Sequence, residues 1–151
     1  ADQVDDKIVW FQNLHEGEAT NYCEASPNSV SPEGAHIFLD GMSSITENQM
    51  TLRAQMLRPN QFGVFFFGPL TQDPPVSFGD GLRCVGTFGL SRLNPPTPTG
   101  SGTAQRALDM SVGPLSTISA GNTAHFQFWY RDPGTGSGFN LTDALSITFC
   151  P

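Results

Sequence analysis

Apolar and polar side chains alternate along much of this chain with the two-residue period of β-strands. The clearest example is the segment 49–56, in which alternate apolar positions are predicted to face a core: Met50, Leu52, Ala54 and Met56. The segment 62–67 is almost continuously apolar, as expected for a central strand covered on both faces. No stretch has the 3.6-residue apolar period of a convincing amphipathic helix.

The same pattern predicts about seven strands in the main part of the chain. They fall at residues 35–40, 49–56, 62–67, 83–93, 104–110, 123–131 and 141–149. The segments 69–81 and 94–102 are rich in Pro and Gly and are predicted to be loops. Strands at this spacing are typical of an antiparallel β-sandwich. We therefore expect residues 21–151 to form one all-β sandwich domain, Ig-like or jelly-roll-like.

The first twenty residues have a different character and are predicted to form a strand extension and a linker. Residues 7–14 are predicted to be a strand that is apolar on both faces, with Ile8 and Trp10 on one and Val9 and Phe11 on the other. The segment 16–20 has no periodicity and is predicted to be a linker. A strand that is apolar on both faces must be covered on both sides. It could insert into a neighbouring copy or fold back as an edge strand of its own domain.

Composition supports the all-β class and excludes several kinds of partner. The chain has 16 Gly, 12 Pro and 12 Phe, and only 14% of its residues are charged, against roughly 25% in an average globular protein. Its net charge is −7 and it has a single lysine, Lys7. Such a chain lacks the basic surface that nucleic acid or an anionic membrane requires. No apolar run approaches the ~20 residues needed to span a bilayer.

The cysteines bear on the compartment in which the protein works. Cys23, Cys84 and Cys150 are too few and too far apart for a zinc site, and their odd number allows one pair with one thiol left over, or a bond between chains. The alternative is three buried thiols in a cytosolic protein. The first residue, Ala1, predicts that an export signal has been removed. Together these features favour a secreted, extracellular protein.

Catalytic and metal chemistry have little support in the sequence. The three histidines (His15, His36 and His125) have no partners at metal-ligand spacing, and no nucleophile or phosphate-loop motif occurs. We therefore expect no enzymatic activity, no cofactor and no metal centre. Calcium is a weaker alternative, with oxygen ligands available in loops at Asp80, Asp132, Asn140 and Asp143. The competing interpretation is that these side chains shape turns.

The sequence offers two kinds of candidate sugar site: residues that could bind a sugar as a ligand and residues that could carry an attached glycan. Tyr22, Trp129 and Tyr130 are candidates for stacking on a sugar ring, unless they belong to the core. Asn140 lies in an Asn-Leu-Thr glycosylation sequence. Hydroxyl groups in the Pro-rich segment form a second candidate set, with a plain solvated loop as the alternative: Thr97, Thr99, Ser101 and Thr103.

Four sequence blocks occur in a specific order between Asn21 and Pro151. They are residues 22–23 with 27–29, residues 63–69, residues 78–86 with 92–93, and residues 126–133 with 139–144. This set resembles an uncharacterised extracellular β-module of secreted proteins from environmental, planctomycete-like bacteria. The resemblance implies a Cys23–Cys84 disulfide that leaves Cys150 unpaired, and it brings no enzymatic activity.

A sandwich preceded by an apolar strand also has the layout of a donor-strand filament subunit. We expect a structural subunit of an extracellular filament that polymerises head to tail. The inserted residues would be Ile8, Val9, Trp10, Phe11 and Leu14, the partners would be identical subunits, and the fibre would carry glycans. The alternative is a secreted carbohydrate-binding or adhesion module.

Overall fold

The computed structural model of the protein describes residues 18–151. Strands account for most of the regular structure. They are β1 (Glu18–Tyr22), β2 (His36–Asp40), β3 (Met50–Gln55), β4 (Phe62–Gly68), β5 (Thr71–Phe78), β6 (Gly81–Val85), β7 (Ser91–Pro98), β8 (Thr103–Leu108), β9 (Thr123–Arg131), β10 (Phe139–Leu141) and β11 (Ala144–Thr148). One 3-10 helix, Gly113–Thr117, precedes β9.

The larger sheet has the strand order β1-β11-β9-β4-β7, and β10 pairs with the C-terminal part of β9. All of these pairings are antiparallel. β10 and β11 lie along the same edge of β9 and are separated by Thr142 and Asp143. Since Thr142 N–H donates to the Phe128 carbonyl at 3.0 Å, the chain stays attached to β9 across this irregularity. β1 and β7 are the two edge strands of this sheet.

A smaller sheet, β2-β3-β8, faces the larger one. The core lies between them and is built from the alternate inward side chains of both sheets. The largest fully buried members are Tyr130, Phe65, Phe126, Phe128, Phe149, Ile37, Met50, Leu52, Leu57, Leu145 and Ile147. Aromatic rings of the larger sheet stack within this layer, with 4.3 Å between the ring centres of Phe65 and Phe128.

The hairpin β5-β6 forms a third layer, which covers part of the outer face of the larger sheet. Phe66, Val85 and Leu141 form a small apolar cluster beneath it. Gln127 is fully buried at this interface and connects the two layers by hydrogen bonds. Its amide oxygen accepts from Cys84 N–H at 3.0 Å, and its nitrogen donates to the Leu82 and Thr142 carbonyls, both at 2.7 Å.

The expected all-β antiparallel sandwich is confirmed, but several predicted boundaries are wrong. The predicted loop 69–81 contains β5, in which Pro74 and Pro75 coincide with a shift of register. The predicted strand 83–93 is divided into β6 and β7 by a turn that includes Gly89, whose φ is +71°. The predicted loop 94–102 contributes to β7. Proline is tolerated there because an edge strand leaves one row of N–H groups unpaired.

Two further corrections concern residues near the sheet ends. The predicted linker 16–20 overlaps β1, since Glu18 already pairs with Thr148. Met56 was expected to face the core, but it is 44% exposed and its backbone turns away with a φ of +64°. The predicted strand 7–14 lies outside the described residues.

Candidate functional site

An open groove of about 960 Å³ lies on the outer face of the larger sheet, beside the β5-β6 hairpin. We call it the outer groove. It is lined by Val64, Phe66, Phe78, Arg83, Thr87, Leu90, Arg92, Asn94, Trp129 and Phe139. A smaller cavity of about 510 Å³ lies near the 3-10 helix and is lined largely by Gly, Pro, Ser and Thr residues. The outer groove is therefore the larger and more aromatic of the two.

The aromatic side chains of the outer groove come from four strands, and those of β5, β9 and β10 contact one another. On β9, Phe128 and Tyr130 point into the core, so Trp129 between them points outward. The ring of Phe139 on β10 lies 5.5 Å from that of Trp129 and 5.2 Å from that of Phe78 at the end of β5. Phe78 is 45% exposed. The groove thus presents a connected aromatic surface to solvent.

Three arginines surround this aromatic surface. Arg83 donates to the Val85 carbonyl at 2.6 Å, the Arg131 guanidinium lies 5.8 Å from the centre of the Trp129 ring, and Arg92 is exposed on β7. Within residues 18–151 the ion pairs are His36–Asp143 and Arg53–Asp40, so none of these three arginines has a carboxylate partner. In a chain with a net charge of −7, this is a local positive region. The groove can bind an apolar group and an anion side by side.

Only one of the three predicted sugar-stacking residues lines the outer groove. Trp129 does so, whereas Tyr130 is fully buried in the core. The Tyr22 hydroxyl donates to the Cys84 carbonyl at 3.0 Å, and its ring meets His125 edge-on at 5.7 Å. Burial raises the pKa of Tyr22 to about 12. Tyr22 therefore holds the hairpin to the sheet and does not line the groove.

The Cys23–Cys84 disulfide is confirmed. It joins the residue after β1 to β6 and so fixes the hairpin over the outer face of the larger sheet. Cys150 is a buried free thiol. A disulfide of this kind is compatible with a secreted protein.

The four proposed loop ligands for calcium bond instead to protein groups. Asp132 is fully buried and accepts from Ser29 N–H at 2.9 Å, while Asp143 accepts from Ile37 N–H at 2.9 Å. Asp80 accepts from Ser137 N–H at 2.8 Å. Across residues 18–151, no group of three or more His, Cys, Asp or Glu side chains is arranged to hold a metal ion. These carboxylates cap turns and strand ends.

The structure separates the candidate glycosylation residues into buried and exposed ones. Asn140 is fully buried and its side-chain nitrogen donates to the Pro27 carbonyl at 3.0 Å. Thr99 is also fully buried, with its hydroxyl 2.8 Å from the Arg58 carbonyl, and Thr97 is 7% exposed. Modifying these three side chains in the folded protein would require opening the fold. Ser101 and Thr103 are exposed.

The histidines show no shared site. His36 lies 3.4 Å from Asp143, and His125 Nδ1 lies 2.7 Å from the Ser146 hydroxyl. Burial lowers the pKa of His125. His15 lies outside the described residues.

The predicted donor residues also lie outside the described residues: Ile8, Val9, Trp10, Phe11 and Leu14. The structure does define where the chain enters the sandwich. Glu18 is opposite Thr148, which is opposite Thr123 at the beginning of β9. Trp129 and the outer groove lie toward the other end of β9. β1 runs from Glu18 toward Tyr22, so Glu18 lies at the end of β1 that is farther from the outer groove.

Sequence reasoning missed the outer groove. The outward position of Trp129 was recognisable from the alternation along β9, but Phe78 was assigned to a loop and Arg92 to the end of a different strand. The unusual clustering of Arg and aromatic residues between positions 78 and 92 was the one available signal.

Comparison of the chain with protein-family models, with characterised proteins and with solved structures found no match. Within residues 18–151, none of the helical structure has the length and apolar character that crossing a membrane requires.

Proposed function

We propose that this protein is a structural subunit of an extracellular filament, which polymerises head to tail when the N-terminal strand of one subunit inserts into the next. The observation that carries the proposal is the direction of β1. It is an edge strand whose N-terminal end points away from the outer groove of its own subunit. The apolar segment Ile8–Phe11 precedes that end in the sequence, and we propose that it reaches a neighbouring subunit.

Distances within the sheet favour exchange between subunits over self-insertion. With a strand spacing of ~4.8 Å and a rise of ~3.4 Å per residue, the Cα atoms of Glu18 and Trp129 are roughly 20 Å apart. The chain from Trp10 to Glu18 spans at most about 29 Å. Self-insertion into the outer groove would therefore require the chain to reverse before Glu18 and then cover most of that length past the hairpin. Insertion into a neighbour requires no such reversal.

Burial of the donor segment supplies the driving force. Transferring Ile8, Val9, Trp10 and Phe11 from water would contribute on the order of 1.5–3 kcal/mol each, before the cost of ordering the segment. Backbone hydrogen bonds to an open edge of the acceptor add to this. Because donor and acceptor surfaces differ, each added subunit presents a new acceptor, and the contact propagates as a fibre.

The remaining features agree with an extracellular structural role. The Cys23–Cys84 disulfide suits an oxidising environment, and an acidic chain with one lysine does not suit binding to nucleic acid. We propose identical subunits as the partners, and no catalytic activity or cofactor.

The test compares the assembly of four proteins, each of which keeps the whole sandwich domain, by light scattering and negative-stain microscopy. They are the full chain, a chain lacking residues 1–16, a Trp10→Asp/Phe11→Asp variant and a Gln12→Asp/Asn13→Asp control. The control adds the same two charges but keeps the apolar residues. We expect filaments from the full chain and the control, and folded monomers from the other two. Monomers in every case, or filaments in every case, would refute the proposal.

Surface glycosylation of the fibre is a separate part of the proposal. Ser101 and Thr103 are the exposed members of the candidate set, so we propose that attached sugars fall on these two hydroxyl groups. Mass spectrometry of peptides from native material should find modified Ser101 or Thr103 and unmodified Asn140. A glycan on Asn140 would contradict this assignment.

A second candidate function is binding of an acidic polysaccharide. It is favoured by the open position of Trp129 beside Arg83 and Arg92, because a sugar ring can stack on an aromatic face while a carboxylate pairs with an arginine. The chain has two tryptophans, and a Trp10→Phe variant leaves Trp129 as the only one. Saturable quenching of its fluorescence by a polyuronate, but not by a neutral glucan, would support this function.

A further inference from the structure

We propose that the outer groove is the acceptor site for the N-terminal segment of a neighbouring copy, with the face that carries Asp6, Ile8 and Trp10 seated on it. This inference rests on the proposed strand exchange and adds the location, orientation and ionic partners of the inserted strand. The occupant is residues 5–11 of a second copy of this chain.

The lining of the outer groove matches an apolar strand. Val64, Phe66 and Leu90 provide an aliphatic and aromatic floor, and Trp129 and Phe139 provide an adjoining aromatic wall. A volume of about 960 Å³ accommodates several large side chains rather than one. The neighbouring strand β7 pairs with β4, and its Asn94 and Pro95 carbonyls accept hydrogen bonds from the Arg106 side chain of β8, so the inserted segment is held mainly by side-chain contacts with the groove.

Charge complementarity identifies which segment enters. The groove carries Arg83 and Arg92, which have no carboxylate partner within the described part of the chain. Three aspartates precede the apolar run of the N-terminal segment: Asp2, Asp5 and Asp6. An acidic residue that enters beside the apolar side chains would neutralise an arginine already positioned at the groove. The apolar side chains of the segment therefore match the aromatic lining of the groove, and its aspartates match the arginines of the groove.

The alternation of an extended strand then selects one face. Residues 6, 8 and 10 point to the same side, which places Asp6 with Ile8 and Trp10. The opposite face carries Lys7 between Asp5 and Val9, and Lys7 would be repelled by the arginines. Asp6 is accordingly the partner of Arg92, and Trp10 is the side chain that meets the Trp129–Phe139 wall.

A charge-exchange experiment on the full chain tests this pairing. Arg92→Glu and Asp6→Arg should each slow filament growth about tenfold at low salt, and the double variant should recover the wild-type rate to within about threefold. Arg53→Glu, which makes the same charge change on the smaller sheet, should leave growth unchanged. Thermal unfolding of each variant verifies that it is folded.

An apolar comparison gives a second, independent measurement. Phe78 lines the outer groove and is 45% exposed, whereas Phe88 is 77% exposed and does not line it. Phe78→Ser should reduce assembly, and Phe88→Ser should not.

The outcomes separate this inference from the proposed function. If wild-type chains polymerise but folded Arg92→Glu and Phe78→Ser chains polymerise equally well, the acceptor lies elsewhere and only this inference fails. If a polyuronate saturates Trp129 without slowing polymerisation, the groove is a sugar site and the inference is again overturned. If the full chain never polymerises, both proposals fail together.

Discussion

The side-chain oxygen of Gln127 accepts a hydrogen bond from the main-chain N–H of Cys84 at 3.0 Å, across the interface between the larger sheet and the β5-β6 hairpin. Its nitrogen donates to two further main-chain carbonyls, those of Leu82 and Thr142. Gln127 is fully buried, and so are Cys84 and Thr142, to which it bonds. The hairpin that forms one wall of the outer groove is therefore held by a polar residue that lies between Phe126 and Phe128 on β9.

Replacing Gln127 by leucine should lower the free energy of unfolding by about 2–4 kcal/mol, because it leaves buried main-chain groups without hydrogen bonds. Urea denaturation would measure the change. Gln72→Leu is a matched control on the exposed hairpin strand β5, where a change within about 0.5 kcal/mol is expected. Equal urea midpoints for the wild-type and Gln127→Leu proteins would contradict this prediction and would show that water bonds the main-chain groups in place of the Gln127 amide.

Removing the Cys23–Cys84 disulfide should also destabilise the fold. The bond closes a loop with a sequence separation of 61 residues, for which the chain-entropy model gives about 4 kcal/mol and experience with other proteins about 2–4 kcal/mol. Denaturation of a Cys23→Ser/Cys84→Ser variant would measure the loss. The native protein should show no thiol that reacts rapidly with a thiol reagent, because Cys150 is only 2% exposed.

Both tyrosines of the chain should resist ionisation. Burial raises the pKa of Tyr22 and of Tyr130 to about 12, and for Tyr130 the charges of Asp132 and Asp80 add to the effect of burial. The unfolded chain ionises near the ordinary value of 10.0. Folding stability should therefore be unaffected by these groups below pH 10 and should fall as the pH rises from about 10 to 12.

Ultraviolet difference absorbance of tyrosinate checks this prediction directly. The folded protein should show no titration near pH 10, and denatured protein should show two tyrosines there. A single tyrosine that titrates near pH 10 in the folded protein would mean that Tyr22 is more accessible than its contacts with Cys84 and His125 indicate.

Gly63 should not tolerate a side chain. A Cβ atom at this position would overlap the Phe128 ring and the Trp129 carbonyl oxygen. Gly63→Ala should therefore cost about 3 kcal/mol through overpacking of the core and distortion of the groove floor. Gly113→Ala is the control. Its Cβ would meet no atom within 4 Å, and its φ of +60° adds only about 1–2 kcal/mol of strain. Equal thermal midpoints for the two variants would contradict the predicted overlap.

The sequence identified several strands in which apolar and other side chains alternate. The predicted segments 35–40, 49–56 and 123–131 correspond to β2, β3 and β9, since the two-residue alternation is read directly from the chain. The prediction was wrong where strands contain proline. β5 and the second part of β7 contain Pro74, Pro75, Pro95, Pro96 and Pro98 and were expected to be loops. Whether a strand lies at an edge, where proline is tolerated, depends on its neighbours and not on its own residues.

By itself, the sequence determined the all-β class and the apolar composition of residues 7–14, and the resemblance described above implied the Cys23–Cys84 pairing that the structure contains. Only the tertiary structure decided that Asn140 and Thr99 are buried, that Trp129 and Phe78 share a groove, and that Arg83 and Arg92 stand there without carboxylates. Alternation specifies which side of a strand is buried. The groove, by contrast, is formed by residues of six strands, from β4 to β10, and the packing of these strands brings its residues together.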